Sequence, residues 1–350
     1  MRKVLAAIAG LVAAGLLVSG PPALAQTGDT SAQEQARRQQ VQPLNNAPLW
    51  REVRSGDPGY TSVKGPETGV LIQSGGETWR EARVPLAVAG GLIIAVALAS
   101  AGVFWLWKGA LPLHDKPTGR MIRRFSTLER ATHWTLAISF LALATTGAII
   151  VFGKYVLLPV LGYTLFAWLA TAAKNLHNFV SPIFMVSVPV FIVLFIRDNW
   201  PKARDFEWLV KFGGLLSDTH VPSGRFNAGE KIQFWGLVVA LSSISALSGL
   251  ILLFPNFGQT RSTMQIANVV HIGAAMFSVV MAIGHIYMGA IRTKGAFEAM
   301  RYGYVDETWA KEHHGDWYEE VRTGRSRQKF ADDEVPAEVV ARVREAIQHG

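Results

Sequence analysis

Cysteine is absent from the 350 residues of this chain. Its absence excludes disulfides, thiolate zinc sites, cysteine-ligated iron–sulfur clusters and haem attached through a CxxCH motif. A redox centre held by this chain must therefore use histidine, methionine or carboxylate ligands. Charged residues are also scarce, at 17% of the chain, whereas hydrophobic residues make up 50%. This balance is too apolar for an ordinary soluble protein of this length.

A separate basic domain is also absent, although the formal net charge is +8. The lysines and arginines flank apolar segments, which is typical of the positive-inside pattern of membrane proteins and argues against nucleic-acid binding. Apolar runs of about twenty residues recur, and that length spans a bilayer as a helix. The sequence therefore predicts an all-α integral membrane protein in contact with lipid.

The N-terminal region shows two compositions. Residues 1–25 have a basic start, a short apolar run and small residues ending at Ala25, which is typical of a secretory signal peptide. A retained membrane anchor is the alternative. Residues 26–84 are polar and rich in Gly, Pro, Gln and Arg, and we expect them to form an extended or weakly ordered periplasmic extension.

Apolar composition predicts five transmembrane spans in the remainder of the chain. They lie at about 85–107, 131–152, 173–196, 232–254 and 265–291. The stretch 156–170 is also apolar, but Pro159 and Gly162 interrupt it. Because it lies too close to the third span to cross separately, we expect an interfacial or re-entrant helix there.

Basic residues orient these spans. Loops 108–130 and 197–231 each carry six lysines and arginines, whereas the intervening loops carry only Lys154 and Arg261. The positive-inside rule then makes both basic loops and the charged tail 301–350 cytoplasmic. The mature N-terminus is predicted to be periplasmic, in a multi-pass protein of the bacterial inner membrane.

Histidines provide the strongest functional signal. Five lie in polar segments, where we expect solvated surface residues: His114, His220, His313, His314 and His349. The other four lie in or at the ends of apolar spans: His133, His177, His271 and His285. An ionisable side chain within a membrane is costly, so four in a regular arrangement indicate a function.

The spacing of two histidines on the fifth span supports this interpretation. His271 and His285 are fourteen residues apart, which leaves them within about 40° of the same helix face. Their separation along the axis is roughly 21 Å, so each lies near one side of the hydrocarbon core.

Depth then pairs the four histidines. The predicted orientation puts His133 and His285 on the cytoplasmic side, and His177 and His271 on the external side. Two pairs at two depths, with one helix serving both, indicate a di-haem b-type cytochrome. Two axial imidazoles on each iron leave no open position, so the haems would carry electrons and would not bind oxygen.

Two further features fit this prediction, although each has an ordinary explanation. Glycines beside the fifth-span histidines leave room for a macrocycle, but helix packing in membranes favours small residues as well. Arginines near His133 could pair with haem propionates, but positive-inside charge explains them equally: Arg123, Arg124 and Arg130.

Five stretches of the chain resemble the γ subunit of respiratory formate dehydrogenase, its cytochrome b membrane subunit. They are RFSTLERATHWTLA (124–137), NLHNFVSPIF (175–184), GRFNAGEKIQFW (224–235), VVHIGAAMFSVVMAIGHIYMGA (269–290) and TWAKEHHGDWYEEV (308–321). The histidine pattern is shared with cytochromes b of nickel–iron hydrogenases. The FNAGEK loop and the WAKEHHGDWYEE tail are more specific to formate dehydrogenase.

The resemblance implies a four-helix di-haem core within residues 108–300, preceded by one extra transmembrane helix at 85–107. It implies that His133, His177, His271 and His285 are the axial ligands of two haems b. It also implies partners, namely an iron–sulfur β subunit and a molybdenum or tungsten pterin α subunit, assembled as a trimer of heterotrimers.

A quinone site beside the cytoplasmic-side haem is also implied by the resemblance. It would lie near His285, with menaquinone or ubiquinone as the electron acceptor and Asn227 as a candidate polar contact. An N-cap of the fourth span explains Asn227 equally well.

Electron transfer from an iron–sulfur subunit through two haems to quinone is the function expected from these features. No catalytic residue is assigned in this chain, because formate oxidation would belong to a partner subunit. The alternatives are a cytochrome b subunit of a nickel–iron hydrogenase, a proton-coupled transporter with a histidine relay, and a non-redox membrane anchor. The last two would contain no haem.

Overall fold

The computed structural model describes residues 74–111, 113–214, 221–331 and 334–348. The predicted signal peptide and residues 26–73 of the predicted periplasmic extension lie outside the described residues. The remainder of that extension, residues 74–84, is helical, which contradicts the extended conformation that we expected. It forms the start of the first helix, α1 (Ser74–Lys108), and is continuous with the apolar span that follows it.

Five helices among the described residues are long and apolar enough to cross a membrane. After α1, the chain forms α2 (Thr127–Val156), α3 (Leu158–Phe195), a short α4 (Ala203–Val210), α5 (Ala228–Leu253) and α6 (Arg261–Arg292). The spanning helices lie over the five predicted apolar spans, which confirms the all-α membrane fold.

The stretch 156–170 is joined to α3 and does not form a separate interfacial or re-entrant helix. Within Leu158–Phe195, only Gly162 departs from helical geometry, with a φ of 72°. Glycine tolerates this left-handed region because it has no Cβ. The chain turns there and then continues as one helix of roughly 50 Å to Phe195. Because the hydrocarbon core is only about 30 Å thick, part of α3 extends beyond it.

Side-chain caps fix where the spanning helices begin. At the start of α2, Ser126 Oγ accepts a hydrogen bond from Glu129 N at 3.3 Å, and Glu129 Oε2 accepts one from Ser126 N at 2.8 Å. This capping box satisfies two backbone donors that the helix itself cannot. It places His133 about two turns into α2.

A small folded unit, which we call the cap, covers the end of the bundle where the basic loops lie. A two-stranded antiparallel sheet joins β1 (Met121–Arg123) to β2 (Tyr304–Asp306), with Ile122 opposite Val305. The helices around it are α7 (Ala296–Tyr302), α8 (Glu307–His313), α9 (Gly315–Arg322) and α10 (Ala337–Gln348). Loop 108–130 and tail 301–350 therefore pack together, which their charged composition did not predict.

Apolar side chains and the buried Arg225 hold the cap on the bundle. The apolar core includes Met121, Ile122, Val305, Trp309, Trp317 and Val343. Arg225 donates to Asp198 at 2.5 Å, to Glu129 at 2.9 Å and to the Arg124 carbonyl at 2.6 Å. These bonds link the end of α3, the start of α2 and the loop before α5.

His314 lies in the cap and not on the surface, so the prediction of a solvated residue is wrong. The residue is 2% exposed, and Nδ1 donates to the Gly224 carbonyl at 2.8 Å. Burial follows from the folding of the tail onto the loop before α5. His114 is on the surface as expected, with a side chain 72% exposed. His313 is half-buried against Trp309, and His220 and His349 lie outside the described residues.

The burial of His314 predicts a loss of stability in acid. Burial lowers the pKa of His314 well below its ordinary value of 6.5, and the positive charge of Arg124 lowers it further. The imidazole therefore binds a proton more readily in the unfolded chain than in the folded one. The stability that the neutral, buried His314 contributes is complete above about pH 6.5 and is lost as the pH falls. We expect the free energy of unfolding to fall by up to about 1.4 kcal/mol per pH unit. Acid titration of thermal stability should show a weaker dependence in His314→Gln, whereas His114→Gln should match the wild type.

Candidate functional site

His133 and His285 face each other near the cap. Their ring centroids are 6.1 Å apart, with His133 on α2 and His285 on α6. The ring centroids of Trp134 and Phe191 lie 5.4 and 6.3 Å from that of His133. Aromatic side chains therefore pack close to one histidine of the first pair.

His177 and His271 form a second pair, closer to the opposite end of the bundle. Their ring centroids are also 6.1 Å apart, with His177 on α3 and His271 on α6. Helix α6 thus contributes one histidine to each pair, and these are the pairs that membrane depth indicates. Within the described part of the chain, no group of three or more His, Asp or Glu side chains could hold a metal ion.

The separation within each pair fits two imidazoles that bind opposite sides of one metal ion. Two metal–nitrogen bonds of about 2 Å each, together with the ring radii, give centroids about 6 Å apart. Direct hydrogen bonding between the two rings would bring their nitrogens to about 3 Å. No bond between paired histidines is present among the described residues. The spacing therefore suits a ligand between the rings, as haem iron would be.

Hydrogen bonds at Nδ1 prepare the second pair for metal binding. His271 Nδ1 donates to the Ser245 carbonyl at 3.0 Å, with Ser248 Oγ at 3.2 Å. His177 Nδ1 lies 2.9 Å from Thr146 Oγ1. A proton on Nδ1 leaves the lone pair on Nε2, the nitrogen free to bind a metal. Thr146, Ser245 and Ser248 could not be predicted from the sequence, since only helix register shows that they reach the histidines.

Replacement of Thr146 with valine should change the second pair without removing its ligands. Valine keeps the branched shape but cannot accept a hydrogen bond from His177 Nδ1, so the imidazole becomes a weaker electron donor. We expect a bound haem to be retained and its reduction potential to rise. Potentiometric titration of the purified protein measures this. Ser187→Ala is the matched control, because Ser187 Oγ bonds only to the Phe184 carbonyl of its own helix.

Glycines make room at the second pair. A Cβ at Gly249 would lie 3.2 Å from Cε1 of His271, and one at Gly147 would lie 3.5 Å from Cε1 of His177. These glycines let two neighbouring helices approach the imidazoles closely. On α6, a Cβ at Gly273 or Gly289 would meet nothing within 4 Å. Open space beside the histidine helix suits a flat macrocycle, so the residues present fit a haem.

The other predicted contacts have protein partners. Asn227 is the N-cap of α5: its Oδ1 accepts from Glu230 N at 2.9 Å, and Glu230 Oε2 accepts from Asn227 N at 2.8 Å. The capping role is therefore real, and the quinone contact stays a prediction. Arg124 is 2% exposed and donates to Glu230 at 3.2 Å, while Arg130 donates to the Arg301 carbonyl at 2.6 Å. These bonds give both arginines partners within the protein, so their positions do not require a haem propionate.

Comparison with known proteins gives a consistent set of relatives. A family model described as prokaryotic cytochrome b561 matches residues 124–303, a range that contains all four intramembrane histidines. The nitrate-inducible formate dehydrogenase cytochrome b556(Fdn) subunit of Escherichia coli K12 is 27% identical over 221 residues, covering 60% of this chain and 96% of that protein.

Two further relatives have similar names. The formate dehydrogenase cytochrome b556(fdo) subunit of Escherichia coli K12 is 32% identical over 208 residues, covering 57% of this chain and 93% of that protein. The formate dehydrogenase cytochrome b556 subunit of Haemophilus influenzae is 28% identical over 210 residues, covering 57% and 83% respectively.

Proposed function

We propose a function on the basis that this chain belongs to the prokaryotic cytochrome b561 family, whose model matches residues 124–303. It is a membrane protein of electron transfer that binds haem b. We propose that it is the cytochrome b subunit of a formate dehydrogenase, as its relatives are named. In that role it passes electrons from an iron–sulfur partner to the quinone pool.

The proposal rests on two histidine pairs at two levels of α6. In each pair the ring centroids are 6.1 Å apart. His133 and His285 would hold one haem b, and His177 and His271 would hold a second. When bound, the two haems supply one-electron carriers on both sides of the membrane. The histidines fix their positions, and Ser245 and Thr146 orient the imidazoles of the second pair.

The orientation of the helices gives the path its direction. Since positive-inside charge puts the cap in the cytoplasm, the His177/His271 level faces the periplasm in a bacterial inner membrane. An iron–sulfur β subunit would deliver electrons there, from an α subunit that holds a molybdenum or tungsten pterin and oxidises formate. The unit would assemble as a trimer of heterotrimers.

Quinone reduction would then take place at the His133/His285 level, near the cap. Menaquinone or ubiquinone would bind beside His285 and take up protons from the cytoplasm. Asn227 is half-buried at the start of α5, and its side-chain NH2 is the group that could contact the quinone. Inward electron movement with proton uptake inside builds a membrane potential, worth about 2.3 kcal/mol per charge for each 100 mV.

Co-purification combined with a reduced-minus-oxidised spectrum tests the proposal. The tagged chain is isolated from solubilised membranes, its partners are identified by mass spectrometry, and its visible spectrum is recorded. We expect a pterin-binding formate dehydrogenase subunit, an iron–sulfur subunit and b-type haem bands. A nickel–iron subunit with the same bands would indicate a hydrogenase instead. A preparation without haem bands would refute electron transfer and favour a transporter or a plain anchor.

A further inference from the structure

Helix α1 lies outside the part of the chain that matches the cytochrome family, yet it packs closely along α6. Gly90 on α1 is buried, and a Cβ placed on it would lie 1.7 Å from Met276 Sδ on α6. On another face of α1, a Cβ on Gly102 would meet nothing within 4 Å. One face of α1 is therefore fitted to α6, while others face away from the protein.

The contact with α1 lies on the side of α6 away from the histidine pairs. Met276 is five residues after His271 and nine before His285. At 100° per residue it points about 140° from His271 and about 180° from His285. Helix α1 thus packs against one face of α6, while the two imidazoles project from the opposite face towards α2 and α3.

The end of α6 changes geometry immediately after His285. Residues Tyr287–Arg292 form a π-helix, and Thr293 N donates to the Met288 carbonyl, five residues earlier, at 3.0 Å. In a regular α-helix, Arg292 would lie within about 20° of His285. The wider π-turn instead aligns Arg292 with Tyr287, so both point towards α1.

Four residues form a contact that we call the α1 latch: Phe104, Gly109, Tyr287 and Arg292. The Phe104 ring lies 6.2 Å from the Tyr287 ring, and the Arg292 guanidinium lies 4.8 Å from the Phe104 centroid. Arg292 Nη1 also donates to the Gly109 carbonyl at 2.8 Å. In return, Leu111 N donates to the Arg292 carbonyl at 2.8 Å.

The latch holds a buried charge in a defined place. Arg292 is 4% exposed, and its Nε finds no partner among the described residues. A buried guanidinium that donates to one carbonyl and stacks on one ring has few alternative positions, because each would leave more donors unpaired. The backbone of the π-turn is therefore fixed to the end of α1 at Arg292, seven residues after His285.

We propose that α1 belongs to the redox core, and that Phe104 and Arg292 are positioning residues that set the orientation of the His285 imidazole. The π-turn lies between His285 and the cap, and the latch ties this stretch of α6 to the end of α1. Loosening the latch lets the end of α6 rotate, and His285 turns with it. The inference rests on the proposed role of His285 as a haem ligand.

Electron paramagnetic resonance of the oxidised protein provides the test, since the gmax of a low-spin haem reports the relative orientation of its two imidazoles. The signal of the His133/His285 haem is first identified as the one that disappears in His285→Leu. We expect Phe104→Ala to shift the gmax of that signal and to leave the other haem signal unchanged. Phe104→Ala changes no charge, so the shift reports geometry and not a local field.

Two further variants make the result decisive. Leu106→Ala is the matched control on the same helix, because Leu106 is 86% exposed. Arg292→Lys keeps the charge but removes the planar group that stacks on Phe104, and should shift the same signal. Identical gmax values in Phe104→Ala, Arg292→Lys and Leu106→Ala would overturn the inference. A wild-type preparation without low-spin haem would instead refute the proposed function on which it rests.

Discussion

Replacing His285 with leucine is expected to remove one of the two proposed haems from the purified protein and to leave the other in place. Leucine fills a similar volume but has no nitrogen that can bind iron. His133, whose ring centroid lies 6.1 Å from that of His285, would then be the sole ligand at its level. The His177/His271 pair would be intact. Haem content per chain, measured by pyridine haemochrome, should fall from two to one.

Functional loss should follow the level of the missing ligand. Leucine at His133 or His285 should stop quinone reduction, whereas leucine at His177 or His271 should block electron entry from the partner. His114→Leu is the control, because that side chain is 72% exposed and lies between α1 and α2, outside the spanning helices. If all four intramembrane variants retain two haems, the ligand assignment is wrong.

Replacing Arg225 with leucine is expected to destabilise the cap severely. Arg225 is 7% exposed and binds Asp198 and Glu129, which are themselves largely buried. Removing the cation leaves two carboxylates without their main partner in a desolvated site. The loss of a buried ion pair costs about 3–5 kcal/mol. Thermal unfolding in detergent should show a correspondingly lower midpoint.

A second arginine on the same carboxylate provides the control. Arg327 donates to Asp198 Oδ1 at 2.9 Å, but its side chain is 60% exposed. Because water replaces an exposed ion pair readily, Arg327→Leu should cost only about 0–1 kcal/mol. Equal effects of the two substitutions would show that burial of Arg225 is not what stabilises the cap.

The four intramembrane histidines could be found from the sequence because each is costly where it lies. Composition fixes the spans, basic loops give the orientation, and helical periodicity puts His271 and His285 on one face of α6. These three rules depend on local sequence alone. They indicate the same two pairs as the structure, in which the paired ring centroids lie 6.1 Å apart. Pairing by depth therefore needed no knowledge of how the helices pack.

Features that depend on packing were missed. His314 is in a charged tail, so its sequence context suggests a solvated residue, but the tail folds onto Gly224 and buries it. The hydrogen bonds of Thr146 and Ser248 to the histidines depend on the register between neighbouring helices. The π-turn after His285 was not predicted from the sequence, and its last residue, Arg292, bonds to the end of α1, a contact that only the packing of the helices shows.

Helix α1 has a structural role that was not expected from the sequence. The resemblance to formate dehydrogenase cytochromes b makes residues 85–107 an addition to a four-helix core. The structure instead joins α1 to α6 at Gly90 and at Arg292, on either side of the level of His285. Helix α1 therefore packs against and supports α6, the helix that carries one histidine of each pair.

The ratio of haem b to polypeptide in the purified wild-type protein tests the central claim most directly. Pyridine haemochrome gives the haem concentration, and quantitative amino-acid analysis gives the concentration of the chain. Two histidine pairs predict a ratio of two, with both haems low-spin. A ratio of one would show that only one of the pairs holds haem, and a ratio of zero would contradict the account altogether.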